Sequence, residues 1–496
     1  MGILEFAMRV LAFVPMDMAS DGSSIGLRLS ANGLEPASHY AYNMAECSNA
    51  ERDSITASMT TLGAFWYVLN NGVLFSNSNE VQNGLPYSFA DALLDAGMQA
   101  ITEERAWLPA FLRFGYGERA IGGYTGSLVT ITNLNNSGVG SLRWACETLN
   151  YPRHIVASVS GWIDLATDIL INDSYVSLDL PTIGIRGAGL SIKFANQVIV
   201  RNLRAYRGHD LPINGSNSGD CISVDLSSNV VIDHCIARFS VDECLSVSRS
   251  SYVTVQNCQI EEGIANAVSN PHDEPDHGFG TLVYLADRVS IVRNFYGLQQ
   301  QRCPQIGSST RVEVIDNVLF NNYLGMLNFP DADVTELPEV DFIGNVIKQG
   351  FLSVDNGQSI RSSGDNTSAI LPHAFAEDNR TKYHDGSNAK IRQVYGGYQT
   401  PIAGEATRVA VTDNSGLYQR DTPFNGITSS LGVASVEAHV IANVGIEAAY
   451  RIADDGRVLD TIAHGLSSIA GETNAFVDEV ILGSPSADNQ RTWPAL

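Results

Sequence analysis

One stretch in the middle of the chain repeats itself with a period of 23 residues. Two pairs of cysteines share this spacing, Cys221 with Cys244 (244 − 221 = 23) and Cys235 with Cys258 (258 − 235 = 23). The run VVIDHC at 230–235 returns as VTVQNC at 253–258 with the same alternation of apolar side chains. A unit of this length is too short for a domain and too long for a heptad. It fits one coil of a solenoid, in which each turn buries its apolar face by stacking on its neighbours.

Short β-branched runs that close on a polar residue extend the pattern in both directions. They read VIVRNL (198–203), SIVRNF (290–295), EVIDNV (313–318) and DFIGNV (341–346). We predict that the closing residues form one ladder of stacked side chains, consisting of Asn202, His234, Asn257, Asn294, Asn317 and Asn345. Stacked amides at a coil corner pass hydrogen bonds from turn to turn. Short β-rich runs without long amphipathic helices between them predict an all-β parallel β-helix, whereas a β-propeller needs about 40–45 residues per blade.

The charge balance excludes some partners. With 54 acidic and 30 basic residues the net charge is −24, which argues against binding to nucleic acid or anionic membranes. A polyanionic substrate then requires a divalent cation to bridge it to the protein. No run of 18 apolar residues occurs, so we expect no membrane span.

Of the seven cysteines, the four in the two stacked columns are predicted to be buried thiols rather than disulfides. Adjacent coils lie about 4.8 Å apart, near the lower limit for a disulfide, which leaves open whether Cys221 and Cys244, or Cys235 and Cys258, are bridged. The chain has no CxxC pair, so a structural zinc site is not expected.

The first hundred residues differ in character from the rest. We predict a separate mixed α/β domain over residues 1–113, with helices at 50–71 and 87–104. This region has no nucleotide loop, metal motif or nucleophile elbow, so attachment or assembly is the expected role. The N-terminus is only weakly similar to a secretion signal, because Glu5 and Pro15 interrupt its apolar run.

From about Gly115 the chain resembles the pectate lyases and their relatives. VTITNLNNSGVGSLRWA at 129–145 is similar to the strand, turn and capping helix that open their β-helix. Further segments resemble the family's motifs in the same order, namely VIVRNLRAYRG (198–208), SSNVVIDHC (227–235), FSVDECLSV (239–247), HGFGTLV (277–283) and RCPQIG (302–307). The resemblance implies a right-handed parallel β-helix over 114–400. A helical and irregular C-terminal extension over 401–496 is expected to pack on it.

The activity implied by this resemblance is β-elimination on an acidic polysaccharide. The C5 proton of a uronate lies next to the carboxylate, and a Ca²⁺ ion held by carboxylate oxygens neutralises that group. The resemblance places metal ligands at Asp220, Asp242 and Glu243, and the catalytic base at Arg302. The coil period independently stacks Asp220 on Glu243 (243 − 220 = 23). Stacked acids need a cation, a proton or solvent to relieve their repulsion.

Arg302 is an unusual base, because arginine is effectively always protonated. Either its surroundings allow it to lose a proton, or it mainly holds the uronate carboxylate; a structural ion pair with a neighbouring acid is the third alternative. The loop NPHDEPDHG (270–278) supplies His272 and His277 as candidate substrate-binding residues. The family's motif also allows a packed, structural role for His277.

The chain departs from the family at three points. Ser218 stands where many members have a further acid, and Gly307 replaces a second arginine. The segment 261–278 contains no Lys or Arg where the family has a lysine. Less positive charge weakens the recognition of uronates.

The preferred hypothesis is therefore a calcium-assisted lyase for an acidic polysaccharide. The additional N-terminal region suggests a phage tail depolymerase. Such a protein would be a homotrimer attached to other virion proteins through residues 1–113. The alternative is an enzyme that is secreted and acts outside the cell. Two other functions stay open. One is a catalytically silent β-helix that binds glycan or builds a virion. The other is a β-helix glycoside hydrolase, which needs two carboxylates about 5–9.5 Å apart.

Overall fold

The computed structural model describes the chain mainly between residues 114 and 464. The described ranges are 114–124, 126–208, 219–264, 277–323, 327–329, 338–350, 353, 360–362, 373–383, 418–419, 423 and 428–464, with four strands nearer the N-terminus. Two compact units divide the chain, Met1–Phe111 and Leu112–Leu496.

The first unit contains two antiparallel hairpins. They are formed by β1 (Leu27–Ser30) with β2 (Gly33–Pro36) and by β3 (Tyr67–Asn70) with β4 (Val73–Ser76). The prediction of a helix over 50–71 is wrong at its C-terminal end, where β3 lies. Asn71-Gly72 joins β3 to β4, and Asn-Gly is the preferred two-residue turn of a hairpin. The predicted helix over 87–104 lies outside the described residues.

The second unit is a right-handed parallel β-helix, as the sequence predicts. Its described strands stack into three parallel sheets, and each coil contributes one strand to each sheet in turn. Sheet A consists of β5 (Ser127–Ile131), β6 (Arg153–Ala157), β9 (Val176–Asp179), β12 (Asn196–Arg201), β15 (Ser228–Asp233), β18 (Ser251–Gln256), β21 (Asp287–Val292), β24 (Thr310–Ile315), β27 (Glu339–Ile343), β30 (His373–Glu377) and β32 (Tyr418–Gln419).

The other two sheets complete the coils. Sheet B consists of β7 (Gly161–Asp164), β10 (Ile183–Arg186), β13 (Arg204–Tyr206), β16 (Ile236–Arg238), β19 (Gln259–Glu261), β22 (Phe295–Gly297), β25 (Val318–Phe320), β28 (Val346–Gln349) and β31 (Arg380–Tyr383). Sheet C consists of β8 (Ile169–Ile171), β11 (Leu190–Lys193), β14 (Ile222–Asp225), β17 (Glu243–Ser248), β20 (Phe279–Tyr284), β23 (Gln305–Gly307), β26 (Leu327–Phe329) and β29 (Ile360–Ser362).

The register between coils follows the period of the sequence. Ile222 pairs with Leu245 and Ile236 pairs with Gln259, so the two cysteine columns stack as the spacing requires. All six described cysteines are buried and free, which confirms the prediction of thiols for the four in the two columns. Alternate apolar side chains from the three sheets point inward and form one continuous core along the helix axis.

The predicted polar ladder is in fact two neighbouring columns. Val253 pairs with Val289 and Gln256 with Val292, so Asn257 stacks above Arg293 rather than above Asn294. Asn202, His234 and Asn257 form one column, and all three have a left-handed backbone with φ between 50° and 55°. The shift arises because the buried valine and isoleucine side chains, and not the closing polar residue, set the register.

The second column is a true asparagine ladder. The Nδ2 group of each residue donates to the Oδ1 of the next, at 3.1 Å from Asn294 to Asn317, 3.0 Å from Asn317 to Asn345 and 2.9 Å from Asn345 to Asn379. These side chains also donate to backbone carbonyls, as Asn317 does to that of Ile291. The ladder thereby satisfies buried backbone groups at the corner between sheets A and B.

A short helix closes the N-terminal end of the β-helix. Helix α1 (Leu142–Glu147) begins at Ser141, whose hydroxyl accepts a hydrogen bond from the backbone of Trp144 at 3.1 Å. The buried Arg153 donates to the carbonyls of Ala145 and Cys146, both at 2.7 Å. It thereby provides hydrogen-bond partners for carbonyl groups at the C-terminal end of α1. The segment predicted to cap the β-helix, residues 129–145, therefore does so.

Residues 114–123, which we call the N-terminal strap, run along the outside of sheet A. Their backbone N–H groups donate to side chains of successive coils: Phe114 to Gln256, Tyr116 to Ser290, Gly117 to Thr254, Ile121 to Gln197 and Gly123 to Ser177, at 2.6–2.8 Å. The strap contains a 3₁₀ turn, Tyr116–Arg119.

Two C-terminal helices cover sheet B. Helices α2 (Val433–Asn443) and α3 (Ala453–His464), with a 3₁₀ turn at Ala448–Tyr450 between them, place valine, leucine and isoleucine side chains on Phe295 and Phe320. Buried ion pairs fasten α3, including Arg204 to Asp455 at 2.6 Å. Sheet C carries no such cover among the described residues. None of the helices in the described part of the chain combines the length and apolar character that crossing a membrane demands.

Candidate functional site

The predicted site residues come together where the connections from sheet B enter sheet C. Asp220 lies just before β14, Glu243 begins β17, and Arg302 lies three residues before β23. The coil register stacks the first two, and the backbone N–H of Glu243 donates to Oδ1 of Asp220 at 3.2 Å. The predicted stacking of Asp220 on Glu243 is therefore confirmed.

Three carboxylates form a cluster at this point. One oxygen from each of Asp220, Asp242 and Glu243 lies within 4.8 Å of the others. Asp220 is 7% exposed and Glu243 is 4% exposed, so both acids are withdrawn from bulk water. The Ser246 hydroxyl donates to Oδ2 of Asp220 at 2.5 Å, which fixes the orientation of that carboxylate.

Arg302 supplies the positive charge that the cluster faces. Its Nη1 makes an ion pair with Oε1 of Glu243, and its guanidinium lies 3.9 Å from the centroid of the Phe279 ring. Its Nε is buried and has no hydrogen-bond partner among the described residues. The side chain is therefore held by one acid and one aromatic face while a donor remains available.

Only one of the two histidines predicted to bind substrate lies among the described residues. His277 is buried, its Nε2 lies 3.8 Å from Oδ1 of Asp242, and its ring packs 4.6 Å from that of Phe279. That placement puts His277 beside the carboxylates, on the side occupied by Asp242. His272 lies outside the described residues, as does Ser218.

Burial and mutual repulsion make the acids reluctant to ionise. Desolvation, followed by the charges of Glu243 and Asp242, raises the pKa of Asp220 well above its usual range. Desolvation and the charge of Asp242 raise the pKa of Glu243 to about 7, although the Arg302 guanidinium opposes that rise. Desolvation also raises the pKa of Asp242. When all three acids are ionised, they carry more negative charge than one arginine can offset.

This donor set fits a hard divalent cation. It consists of carboxylate oxygens only, which are the ligands that Ca²⁺ prefers and which soft metals avoid. A cation would also relieve the repulsion that raises the pKa of the acids. One oxygen of each acid lies within 4.8 Å of the others, just below the range of about 5–9.5 Å that separates the two carboxylates of a glycoside hydrolase.

Two residues of the site were not anticipated from the sequence. Phe279 lies under both Arg302 and His277, and Ser246 orients Asp220. Alternation within ECLSVS places Ser246 on the outer face of β17, which is a usable signal. Nothing in the sequence connects Phe279 with Arg302, because their contact depends on how β20 stacks beside the turn before β23.

Known proteins similar to this chain are pectate lyases. Over 212 residues the chain is 30% identical to the Aspergillus terreus protein named "Probable pectate lyase C", a match that covers 42% of this chain and 46% of that protein. Over 149 residues it is 27% identical to pectate lyase 5 of Ambrosia artemisiifolia, covering 26% and 37% of the two chains. The chain thus spans about half the length, or less, of these curated relatives. No model of a protein family matches it.

Solved structures with a similar backbone include a pollen allergen and a pectate lyase. The cedar pollen allergen jun a 1 aligns with 69% of this chain and 98% of its own, at 14% identity and a TM-score of 0.48. A pectate lyase from Bacillus sp. N165, in complex with trigalacturonate, aligns with 68% of this chain and 99% of its own, at 15% identity and a TM-score of 0.46.

Proposed function

We propose that this protein is a polysaccharide lyase that cleaves an acidic, uronate-containing polysaccharide by β-elimination. The observation that carries the proposal is the convergence of Arg302 with Asp220, Asp242 and Glu243 where the chain enters sheet C. The similarity in sequence to pectate lyases supports the same reaction class.

The reaction needs a group that acts on C5 of a uronate. The C5–H bond breaks, its electron pair forms the C4–C5 double bond, and the glycosidic oxygen leaves C4 with its bonding pair and takes up a proton. Arg302 is the catalytic residue of the proposal. With a neutral guanidinium, Arg302 accepts the C5 proton. With a charged one, it holds the uronate carboxylate and stabilises the negative charge that develops on it, and a water molecule accepts the proton.

The carboxylate cluster is proposed to hold Ca²⁺. When bound, the cation neutralises the uronate carboxylate and so makes the neighbouring proton more acidic. Asp220, Asp242 and Glu243 would be its protein ligands, and the Ser246 hydroxyl keeps Asp220 in place. His277 limits the space beside Asp242 and is proposed to contact the substrate.

The site of action is proposed to lie outside a cell, either on a phage tail or as an extracellular enzyme. Residues 1–113 would then provide attachment to other virion proteins or assembly into a homotrimer. Size-exclusion chromatography with light scattering, on the full chain and on a truncation that begins at residue 114, tests the assembly role: loss of the oligomer on truncation supports it, and equal oligomeric states contradict it.

The function is tested by the absorbance of the unsaturated product near 235 nm. The purified protein is mixed with a panel of uronate polysaccharides in Ca²⁺ or in EDTA. The expected result is a calcium-dependent rise that falls by about 10²–10⁴ in Arg302→Ala. The matched control is Arg186→Ala on sheet B, where the arginine pairs with the exposed Asp164, and it should keep wild-type activity.

The remaining outcomes identify the alternatives. New reducing ends without absorbance near 235 nm would indicate a hydrolase. Binding without cleavage would indicate the silent glycan-binding protein, which the net charge of −24 and Gly307 favour.

A further inference from the structure

The corner at which the chain leaves sheet C and enters sheet A is positively charged over five successive coils. Each of its stretches runs from the last residue of a sheet C strand to the second residue of the next sheet A strand, without an insertion. The stretches read KFANQ (193–197), DLSSN (225–229), SRSSY (248–252), YLADR (284–288) and GSSTR (307–311), and we call them the C–A corner. They contain four basic and two acidic residues in a chain whose net charge is −24. The corner is therefore a local excess of positive charge.

Equivalent positions of the C–A corner stack directly on one another. Lys193 pairs with Asp225 in the register of sheet C, and sheet A continues the same register from coil to coil. The second and fifth residues of every stretch have a left-handed backbone, with φ between 46° and 62°. Three of the second residues face solvent: Phe194 is 63% exposed, Leu285 is 40% exposed, and the side chain of Arg249 is 51% exposed.

Asp225 is shared by two cations of the corner. It accepts hydrogen bonds from Nε and Nη2 of Arg249 at 2.9 and 2.7 Å, and Nζ of Lys193 lies 3.3 Å away. One carboxylate offsets one of the two positive charges, so this group keeps a surplus of one. The Lys193 side chain is 40% exposed, and that of Arg249 more so. A carboxylate from solvent can therefore approach both cations.

Asp287 forms a second group of the same composition two coils further along. Nη1 of Arg288 and Nη2 of Arg311 lie 2.6 and 2.7 Å from its oxygens. Arg288 is buried, with its guanidinium 5.0 Å from the centroid of the Tyr252 ring, whereas the Arg311 side chain is 28% exposed. Desolvation and the charge of Arg311 lower the pKa of Arg288, as expected where positive charge exceeds negative charge. Arg311 is the accessible part of this group.

The C–A corner lies apart from the carboxylate cluster. Arg249 comes six residues after Glu243 (249 − 243 = 6), which is about 20 Å along an extended strand. Lys193 and Arg311 are separated by four steps between coils, about 19 Å along the helix axis. The exposed ring of Phe194, 5.4 Å from Nζ of Lys193, offers apolar surface on which a sugar ring can pack.

We infer that the C–A corner is a second binding site for the acidic polysaccharide, distinct from the site of cleavage. This inference rests on the proposed function for the identity of the polymer, but binding at the corner requires neither Ca²⁺ nor Arg302. Uronate carboxylates meet the surplus charge of the Asp225 and Asp287 groups, and sugar rings pack on the exposed apolar side chains. A polymer held at the corner stays near the carboxylate cluster, which raises its effective concentration there.

The size of the surplus favours a glycan over other polyanions. Nucleic acids and anionic membranes present closely spaced phosphates and are bound through many cations at once. The corner supplies two surplus charges, and the described corners next to it carry acids, Asp173 before it and Glu339 after it. Separate carboxylates on a chain of sugars suit this small surplus.

The test removes only the surplus charge. Lys193→Gln combined with Arg311→Gln leaves Asp225 and Asp287 with one arginine each, so both acids keep a partner. Affinity electrophoresis in gels containing polygalacturonate, in EDTA and at about 0.1 M salt, measures binding without the proposed metal. The Kd should rise about three- to tenfold in this double variant. At about 1 M salt, where the screening length is about 3 Å, the double variant and the wild type should bind alike.

A variant of opposite sign and a matched control make the result specific. Asp225→Asn frees both cations of its group, so the Kd should fall about twofold or more, a gain that local damage would not produce. Arg186→Gln combined with Arg380→Gln removes two partly exposed arginines from sheet B and changes the net charge as the first double variant does. This control should bind as the wild type does.

Kinetics connect the corner with cleavage. Absorbance near 235 nm in Ca²⁺ should show KM for long polygalacturonate raised about three- to tenfold in Lys193→Gln/Arg311→Gln, with kcat unchanged. KM for trigalacturonate should stay the same, because a trisaccharide does not extend from the cleavage site to the corner.

The outcomes separate this inference from the function on which it rests. Equal binding by the wild type and Lys193→Gln/Arg311→Gln, or an equal loss in the sheet B control, overturns the second site and leaves the lyase intact. Stronger binding to polyuridylate or to phosphatidylserine vesicles than to polygalacturonate overturns the choice of a glycan. Absence of elimination with every uronate polymer overturns the lyase, whereas charge-dependent binding in EDTA then still supports the corner.

Discussion

Glu243 offers the most informative single perturbation, because one variant tests both its burial and its proposed metal. Its pKa is raised from 4.5 to about 7, first by desolvation and then by the charge of Asp242. An unfolded chain loses this proton near the lower value, whereas the folded protein keeps it until the higher one. The contribution of Glu243 to stability is therefore greatest below pH 4.5 and is lost as the pH rises towards 7.

The magnitude follows from the two pKa values. At 1.36 kcal/mol per pH unit, the loss amounts to about 3 kcal/mol once the pH exceeds the folded pKa. Glu243→Gln has no proton to lose. The free energy of unfolding of the variant, relative to wild type, should therefore grow by about 3 kcal/mol between about pH 4.5 and about pH 8.

Urea unfolding followed by tryptophan fluorescence in EDTA measures this difference at each pH. Asp164→Asn is the control, because its side chain is 75% exposed and should track the wild type. At the upper pH, Ca²⁺ at about 100 times its Kd should stabilise the wild type by about 2.7 kcal/mol and the variant by less. If the free energies of unfolding of Glu243→Gln and the wild type changed in parallel with pH, the raised pKa of a buried Glu243 would be refuted.

Three further predictions concern the rest of the fold and the site. Asp455→Ala leaves the buried Arg204 without its carboxylate, so urea unfolding should show a loss of about 3–5 kcal/mol, whereas Asp460→Ala, at an exposed position, should be nearly neutral. Asn317→Ala interrupts the asparagine ladder and leaves buried groups unpaired, so it should cost about 1–3 kcal/mol or more by the same method, and an unchanged midpoint would contradict the ladder's role. Phe279→Ala removes the ring beneath Arg302, and kcat should fall several-fold while Phe279→Tyr largely retains it; equal losses in the two variants would argue against the cation–π contact.

The coil period was sufficient to predict the fold and the stacking of the acids. A repeat of 23 residues with two cysteine columns specifies which residues lie one above the other, so Asp220 and Glu243 are brought together by register alone. The ladder was harder to predict. The closing polar residue suggested one alignment of VTVQNC with SIVRNF, but the buried Val253 and Val289 set another.

Other features depend on contacts that the order of residues does not show. Phe279 and Arg302 meet only because neighbouring coils stack, and the ion pairs that fasten α3 to sheet B join residues about 250 positions apart, such as Arg204 and Asp455, for which the separation is 251. The hairpin at β3 and β4 was predictable in principle. Its Asn-Gly turn is a local signal, but the apolar spacing of the preceding residues suggested a helix instead.

The central claim is that the protein cleaves by elimination rather than hydrolysis. Mass spectrometry of the oligosaccharides released from a uronate polysaccharide in Ca²⁺ measures this directly. Elimination should give fragments whose new non-reducing end is lighter by one water than the end a hydrolase would leave, and these fragments should be absent in Arg302→Ala. Fragments that have gained a full water at every cleavage would contradict it.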